Sequence, residues 1–170
     1  MDQLFEITSP KKRFNANEIQ FDGKYPYVAR GCNNNGIRGY ITEDEQYLNN
    51  GNTISFGQDT VTVFYQKHPY FTGDKIKIMT FQKGELTMDT ACYFITAIRK
   101  AFQGFIWGQS SFNEKVINNM EILLPVAENG DIDYGFIMSF ITAQKKMVIK
   151  DILDCKRNEI SACKRICCSD

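Results

Sequence analysis

The sequence predicts an α+β fold: a twisted, mostly antiparallel β-sheet domain with one packed helix, followed by a long C-terminal helix of coiled-coil type. Three observations predict it. Short β-rich runs separated by turn residues occupy the chain as far as Met79. At Met88 the apolar period lengthens to that of a helix, and after Gly135 neither Pro nor Gly interrupts the chain. The organisation expected is a globular domain over residues 1–127 and a helix over residues 131–168.

The first forty residues alternate apolar stretches with turn chemistry, as in Leu4-Phe5-Glu6-Ile7, Tyr25-Pro26-Tyr27-Val28-Ala29 and Asn33-Asn34-Asn35-Gly36-Ile37, and read as strand and loop. Thr53-Ile54-Ser55-Phe56 and Val61-Thr62-Val63-Phe64-Tyr65 form a hairpin around a polar tip, Gly57-Gln58-Asp59-Thr60. Lys75-Ile76-Lys77-Ile78-Met79 alternates and predicts a strand with one buried and one wet face. Met88, Ala91, Cys92, Ile95, Ile98 and Phe102 then recur at helical spacing, with Asp89 near the start and Arg99-Lys100 near the end, as the helix dipole favours. Met120-Glu121-Ile122-Leu123-Leu124 reads as a buried strand closed by Pro125. In the last segment Ile137, Ile141, Val148, Ile152, Cys155, Ile160, Cys163 and Cys167 form one narrow stripe. A helix of about 30 residues runs about 45 Å, more than a domain of this size needs for its own core, so it is expected to seek a partner helix.

At 170 residues, one core with an appendage is the economical reading. A hydrophobic fraction of 43%, including 13% aromatic residues, promises a sizeable core. The net charge is zero, so nothing global announces a polyanion partner and any such binding must rest on local clustering. Both ends lean basic, Met1 to Tyr40 with six Lys/Arg against four Asp/Glu and Lys145 to Arg165 with seven against three, though a lean this mild is more often a solvated face. With no leader-like start and no run of about 18 apolar residues, a soluble, cytoplasmic protein is expected. The cysteines lack scaffold spacing, which fits a reduced state.

No catalytic constellation emerges. The single histidine, His68, stands at a strand end beside Lys67 and Pro69 and reads as structural or surface. No nucleophile elbow, phosphate-binding glycine loop, carboxylate cluster for Mg²⁺ or methyltransferase motif occurs, and Cys163, Cys167 and Cys168 read as small helix-face residues rather than zinc ligands. What stands out is polar loops at strand ends: Arg30, Asn33, Asn34, Asn35 and Arg38 in one, Gln58, Asp59 and Thr60 in the next, and Gln109, Ser110 and Ser111 after Trp107. Arg, Asn and Gln make paired hydrogen bonds to guanine and adenine edges, although Asn and Gly are equally turn residues.

Three ordered blocks carry a resemblance. Tyr27 to Ile41 (YVARGCNNNGIRGYI) resembles the NNGI-x-GYI segment of type I restriction-modification specificity subunits. Gly51-Asn52-Thr53-Ile54, Gly57, Phe64-Tyr65 and Phe71-Thr72-Gly73-Asp74 resemble the next block, and Asn118 to Pro125 (NNMEILLP) the closing one. The resemblance implies a non-catalytic target-recognition domain that reads part of a split site in double-stranded DNA, and a spacer helix that packs antiparallel on a second helix. It further implies docking to methyltransferase subunits and to a restriction subunit, with S-adenosylmethionine, ATP and Mg²⁺ held on those partners and no cofactor here.

Typical members carry two recognition domains and two spacer helices, and this chain one of each. That leaves a prokaryotic half-subunit that homodimerises through Ile137, Ile141, Val148, Ile152 and Ile160, or a piece of a longer chain. The DNA contacts expected are Arg30, Asn34, Arg38, Gln58, Thr60, Gln109 and Ser110 in the groove, with Lys67, Lys75 and Lys115 on phosphate. The alternative is a protein-interaction scaffold that uses the long helix without DNA specificity.

Overall fold

A computed structural model describes residues 1–103 and 114–167. The strands are β1 (Phe5–Thr8), β2 (Tyr25–Val28), β3 (Ile37–Ile41), β4 (Thr53–Gly57), β5 (Thr62–Gln66), β6 (Phe71–Thr72) and β7 (Ile76–Phe81). The helices are α1 (Met88–Phe102), α2 (Glu114–Asn119) and α3 (Tyr134–Cys167). The chain divides into two compact units, Met1–Leu124 and Pro125–Asp170.

Among the described residues the first unit holds two sheets. A four-stranded sheet has the order β1-β7-β4-β5, antiparallel throughout. A three-stranded sheet has the order β3-β2-β6, with β2 antiparallel to β3 and parallel to β6. The β4–β5 hairpin forms, but its tip lies one residue later than expected, because Gly57 still pairs with Thr62. Val61 closes the turn, its N–H donating to the Gly57 carbonyl at 2.9 Å with φ 51°.

The wet face expected for β7 does not exist: Ile76, Lys77, Ile78 and Met79 are all buried. Alternation predicts exposure only where one face of a sheet meets water, and here both are covered. Phe81 packs on Phe94 of α1, ring centroids 5.1 Å apart, while Ile78 points the other way into a cluster with Val28 of β2 and Tyr70. The order is therefore helix, four-stranded sheet, three-stranded sheet. Lys77 tolerates burial by donating its ammonium to Ser9 Oγ at 2.9 Å.

Helix α1 starts in a capping box in which Thr87 and Thr90 each satisfy the other's backbone N–H. It buries Ala91, Phe94, Ile98 and Phe102, whereas Met88 and Cys92 of the expected stripe are exposed. Phe94 turns the helix, because its ring fills the space between Phe5 (5.5 Å, edge-on) and Phe81. Such aromatic pairs contribute about 0.5–1.5 kcal/mol each beyond area burial, more than a cysteine could recover there.

Residues 120–124 form no strand, and Leu123 is 83% exposed. Met120 instead accepts a hydrogen bond from the Met1 ammonium at 2.7 Å, and among the described residues no sheet edge pairs with the run. In the second unit a tight turn held by Asn129 and Asp131 precedes the helix, and Asp133 caps it by accepting from the Phe136 N–H at 2.8 Å. Helix α3 has 34 residues, a length of about 51 Å. Ile137 is buried and Ile141 half-buried, while Val148, Ile152, Cys155, Ile160 and Cys163 are exposed. Among the described residues no helix is long and apolar enough to cross a membrane.

Candidate nucleic-acid interface

Four stretches remote in sequence meet at the end of the four-stranded sheet marked by Gly57, Thr62 and Ile76: the β1–β2 loop at Arg13, the β2–β3 loop, the β4–β5 tip and the turn at residues 73–75. Asn35 secures the β2–β3 loop, with its side-chain amide donating to the Tyr65 carbonyl at 2.7 Å while its own carbonyl accepts from Gln66 at 3.0 Å. Gly36 follows at φ +76°, where a Cβ would stand 3.0 Å from the Phe64 ring. Only glycine meets both conditions without strain.

Asp59, on the hairpin tip, joins two of these stretches. Its Oδ2 accepts from Arg30 Nη1 at 2.6 Å and from Lys75 Nζ at 2.7 Å. The hydrogen bond from Lys75, then the charges of Lys75 and Arg30, hold its carboxyl below the usual range. Gln58 donates its N–H to the Lys75 carbonyl at 2.9 Å, and Thr60 Oγ1 lies 2.9 Å from Thr62 Oγ1. Both Val61 and Lys75 adopt positive φ, 51° and 56°, so strain of about 1–3 kcal/mol per residue gathers around the carboxylate.

Beside this cluster lies a groove of about 480 Å³ whose walls carry Arg13, Arg30, Arg38 and Asp74 over a floor that includes Phe14 and Tyr27. Tyr27 fixes the floor by donating its hydroxyl to the Phe14 carbonyl at 2.8 Å, and burial pushes its pKa up. The Arg38 guanidinium lies 5.5 Å from the centroid of the Phe21 ring, a cation–π arrangement that keeps it at the rim. Arg13 stands 3.5 Å from Asp74 across the groove. It was not among the expected contacts, though it closes the densest basic triplet of the chain, Lys11-Lys12-Arg13. What places it is the bridge of Arg13 to Thr72 and the hydrogen bond from the Phe14 N–H to the Thr72 carbonyl at 2.9 Å.

Of the residues expected to touch DNA, the structure thus brings together Arg30, Arg38, Gln58, Thr60 and Lys75. Asn34 is exposed on the β2–β3 loop, its amide donating to the Ile37 carbonyl at 3.2 Å. Lys67 follows the far end of β5, about 17 Å along the strand from the tip. Lys115 is exposed on α2, which packs on β1 near the Met1 end, also away from the cluster. Gln109 and Ser110 lie outside the described residues.

The first unit is thus an α+β domain whose strand-connecting loops gather three arginines, Arg13, Arg30 and Arg38, around one groove. The chain belongs to the type I restriction modification DNA specificity domain family, whose profile matches residues 1–154. Among curated relatives, the specificity subunit S.BcgI of a type II restriction enzyme from Heyndrickxia coagulans is 30% identical over 137 residues. That match takes in 79% of this chain and 40% of the relative. Among solved structures, a type I restriction-modification S subunit from M. genitalium superposes with a TM-score of 0.56 at 15% identity, over 97% of this chain and 41% of that one. The second likeness concerns the fold alone. The chain therefore spans about two fifths of each of these two proteins.

Proposed function

We propose that this chain reads DNA sequence as part of the specificity subunit of a type I-like restriction-modification system. It directs an adenine methyltransferase and endonuclease complex to a two-part site and performs no chemistry itself. The observation that carries this reading is the convergence of Arg13, Arg30, Arg38 and Lys75 on one groove and rim in a chain of zero net charge. Arginine pairs with O6 and N7 of guanine, Gln58 suits adenine, and Thr60 and Lys75 suit edges and phosphates beside them.

Helix α3, with Val148, Ile152 and Ile160 exposed, supports a docking role toward methyltransferase subunits or a second copy of the helix. S-adenosylmethionine, ATP and Mg²⁺ belong to those partners in this reading, and the assembly works in a prokaryotic cytoplasm. Mapping methylated adenines in cells with the gene intact and deleted names the site. Replacing Arg30 and Arg38 with Ala in the reconstituted complex then weakens binding to that site by about 1–3 kcal/mol per base-reading arginine and leaves assembly intact. Unaltered binding by the double variant rules out this groove as the reading surface.

A further inference from the structure

We propose that Asp59 is a specificity-determining residue, which engages Arg30 and Lys75 in the DNA-free protein so that only a matched sequence releases them. The inference rests on the DNA-reading function proposed above. One carboxylate oxygen holds both cations, at 2.6 and 2.7 Å, and the three side chains remain 27% (Asp59), 39% (Arg30) and 50% (Lys75) exposed. Ion pairs this open contribute little to folding, so stability alone does not account for an acid placed between two cations at the tip of a loop. Facing a polyanion, the same acid has a large effect.

Sequence-independent binding draws on any arginine or lysine that can reach a phosphate. Asp59 neutralises two of them in advance. A duplex that offers only phosphates must break both pairs and then leave an unpartnered carboxylate against its own backbone. A matched site instead offers guanine O6 and N7 to Arg30 and a base amino group, such as cytosine N4, to Asp59. The acid thus lowers affinity for wrong sequences more than for the right one, the repulsive half of discrimination. The geometry is fixed from both sides: the Gln58 N–H holds the Lys75 carbonyl at 2.9 Å, and Val61 and Lys75 keep strained backbones on either side of the carboxylate.

The test uses the full chain and a pool of random-sequence 30-bp duplexes, titrated between 50 and 200 mM salt. Asp59→Asn, nearly isosteric, should bind the pool about tenfold more tightly, with a log K against log salt slope steeper by about two, one counterion release per freed cation. Sequencing of the bound fraction should show a flatter enrichment than for the wild-type chain. In an Arg30→Ala/Lys75→Ala background the same change should alter binding by less than about twofold, as expected for residues that act as one unit. Asp59→Ser, checked by its thermal midpoint to be folded at the assay temperature, should reproduce the gain. Equal tightening in both backgrounds would show generic loss of negative charge and overturn the proposal. Unchanged or weaker binding by Asp59→Asn would also overturn it, with the DNA reading intact. If no form of the chain binds the pool, the DNA reading and this inference fall together.

Discussion

Arg30 Nη1 lies 2.6 Å from Asp59 Oδ2, and this contact ties the β2–β3 loop to the tip of the β4–β5 hairpin across 29 residues of sequence. With Lys75 on the same oxygen, the direction in which Arg30 projects depends on three segments at once. Substitutions in any of them should register in the groove.

Acid should loosen this junction. The Asp59 carboxyl is held below its ordinary range by the hydrogen bond from Lys75 and the charges of Lys75 and Arg30. Its folded pKa lies below the unfolded value, so its contribution is complete above about pH 4 to 5 and is lost as pH falls through the folded pKa. The contribution is small because the pair is partly exposed. Thermal midpoints of the wild-type and Asp59→Asn chains should differ most near neutrality and converge toward pH 2. A gap that widens in acid would contradict the assignment.

Arg13 and Lys67 should separate in salt titrations of DNA binding. Arg13 lines the groove and Lys67 stands at the far end of β5. Arg13→Ala should weaken binding evenly across sequences and reduce the salt slope by about one, while Lys67→Ala should leave both nearly unchanged.

Gly36→Ala should cost about 1–3 kcal/mol, from a φ of +76° and a Cβ 3.0 Å from Phe64. Denaturant unfolding gives the stability loss, and the position of the β2–β3 loop in a crystal structure of the variant gives the displacement.

Phe94→Ala should destabilise the first unit by about 3–5 kcal/mol, since a fully buried ring between Phe5 and Phe81 is removed. Cys92→Ala, two residues earlier and part of the expected stripe but exposed, should change the unfolding midpoint little.

Val148→Asp combined with Ile152→Asp should leave the unfolding of the isolated chain nearly unchanged, because both side chains are exposed. If α3 docks on another helix, the pair should abolish co-purification with the methyltransferase subunit or self-association in sedimentation. Retention of both would place docking elsewhere.

Local signals were legible in the sequence because they depend on near neighbours. Thr53 to Gln66 alternates around a polar tip, and a hairpin results; residues 134–167 lack breakers after Gly135, and one helix results. The NNGI-x-GYI segment and the blocks after it marked the family, and Arg30, Arg38, Gln58, Thr60 and Lys75 could be picked as polar residues at strand ends. Their shared location could not be read, since it depends on pairings remote in sequence, such as β4 with β7, where Thr53 meets Thr80 and Gly57 meets Ile76.

The sequence by itself determined the hairpin, the two long helices, the α+β class and the chemical character of the loops, which are properties of near neighbours, and the family, which the order of three short blocks carried. Tertiary structure decided which strand faces were dry, and it overruled alternation in β7 because α1 covers one side and the second sheet the other. It also rotated α1 onto Phe94, left residues 120–124 outside any strand among the described residues and carried Arg13 to the groove. Burial and proximity are sums over the whole chain, and the Asp59 junction is such a sum: three short loops, each ordinary as sequence, form one charged cluster only where packing brings their charges within 3 Å.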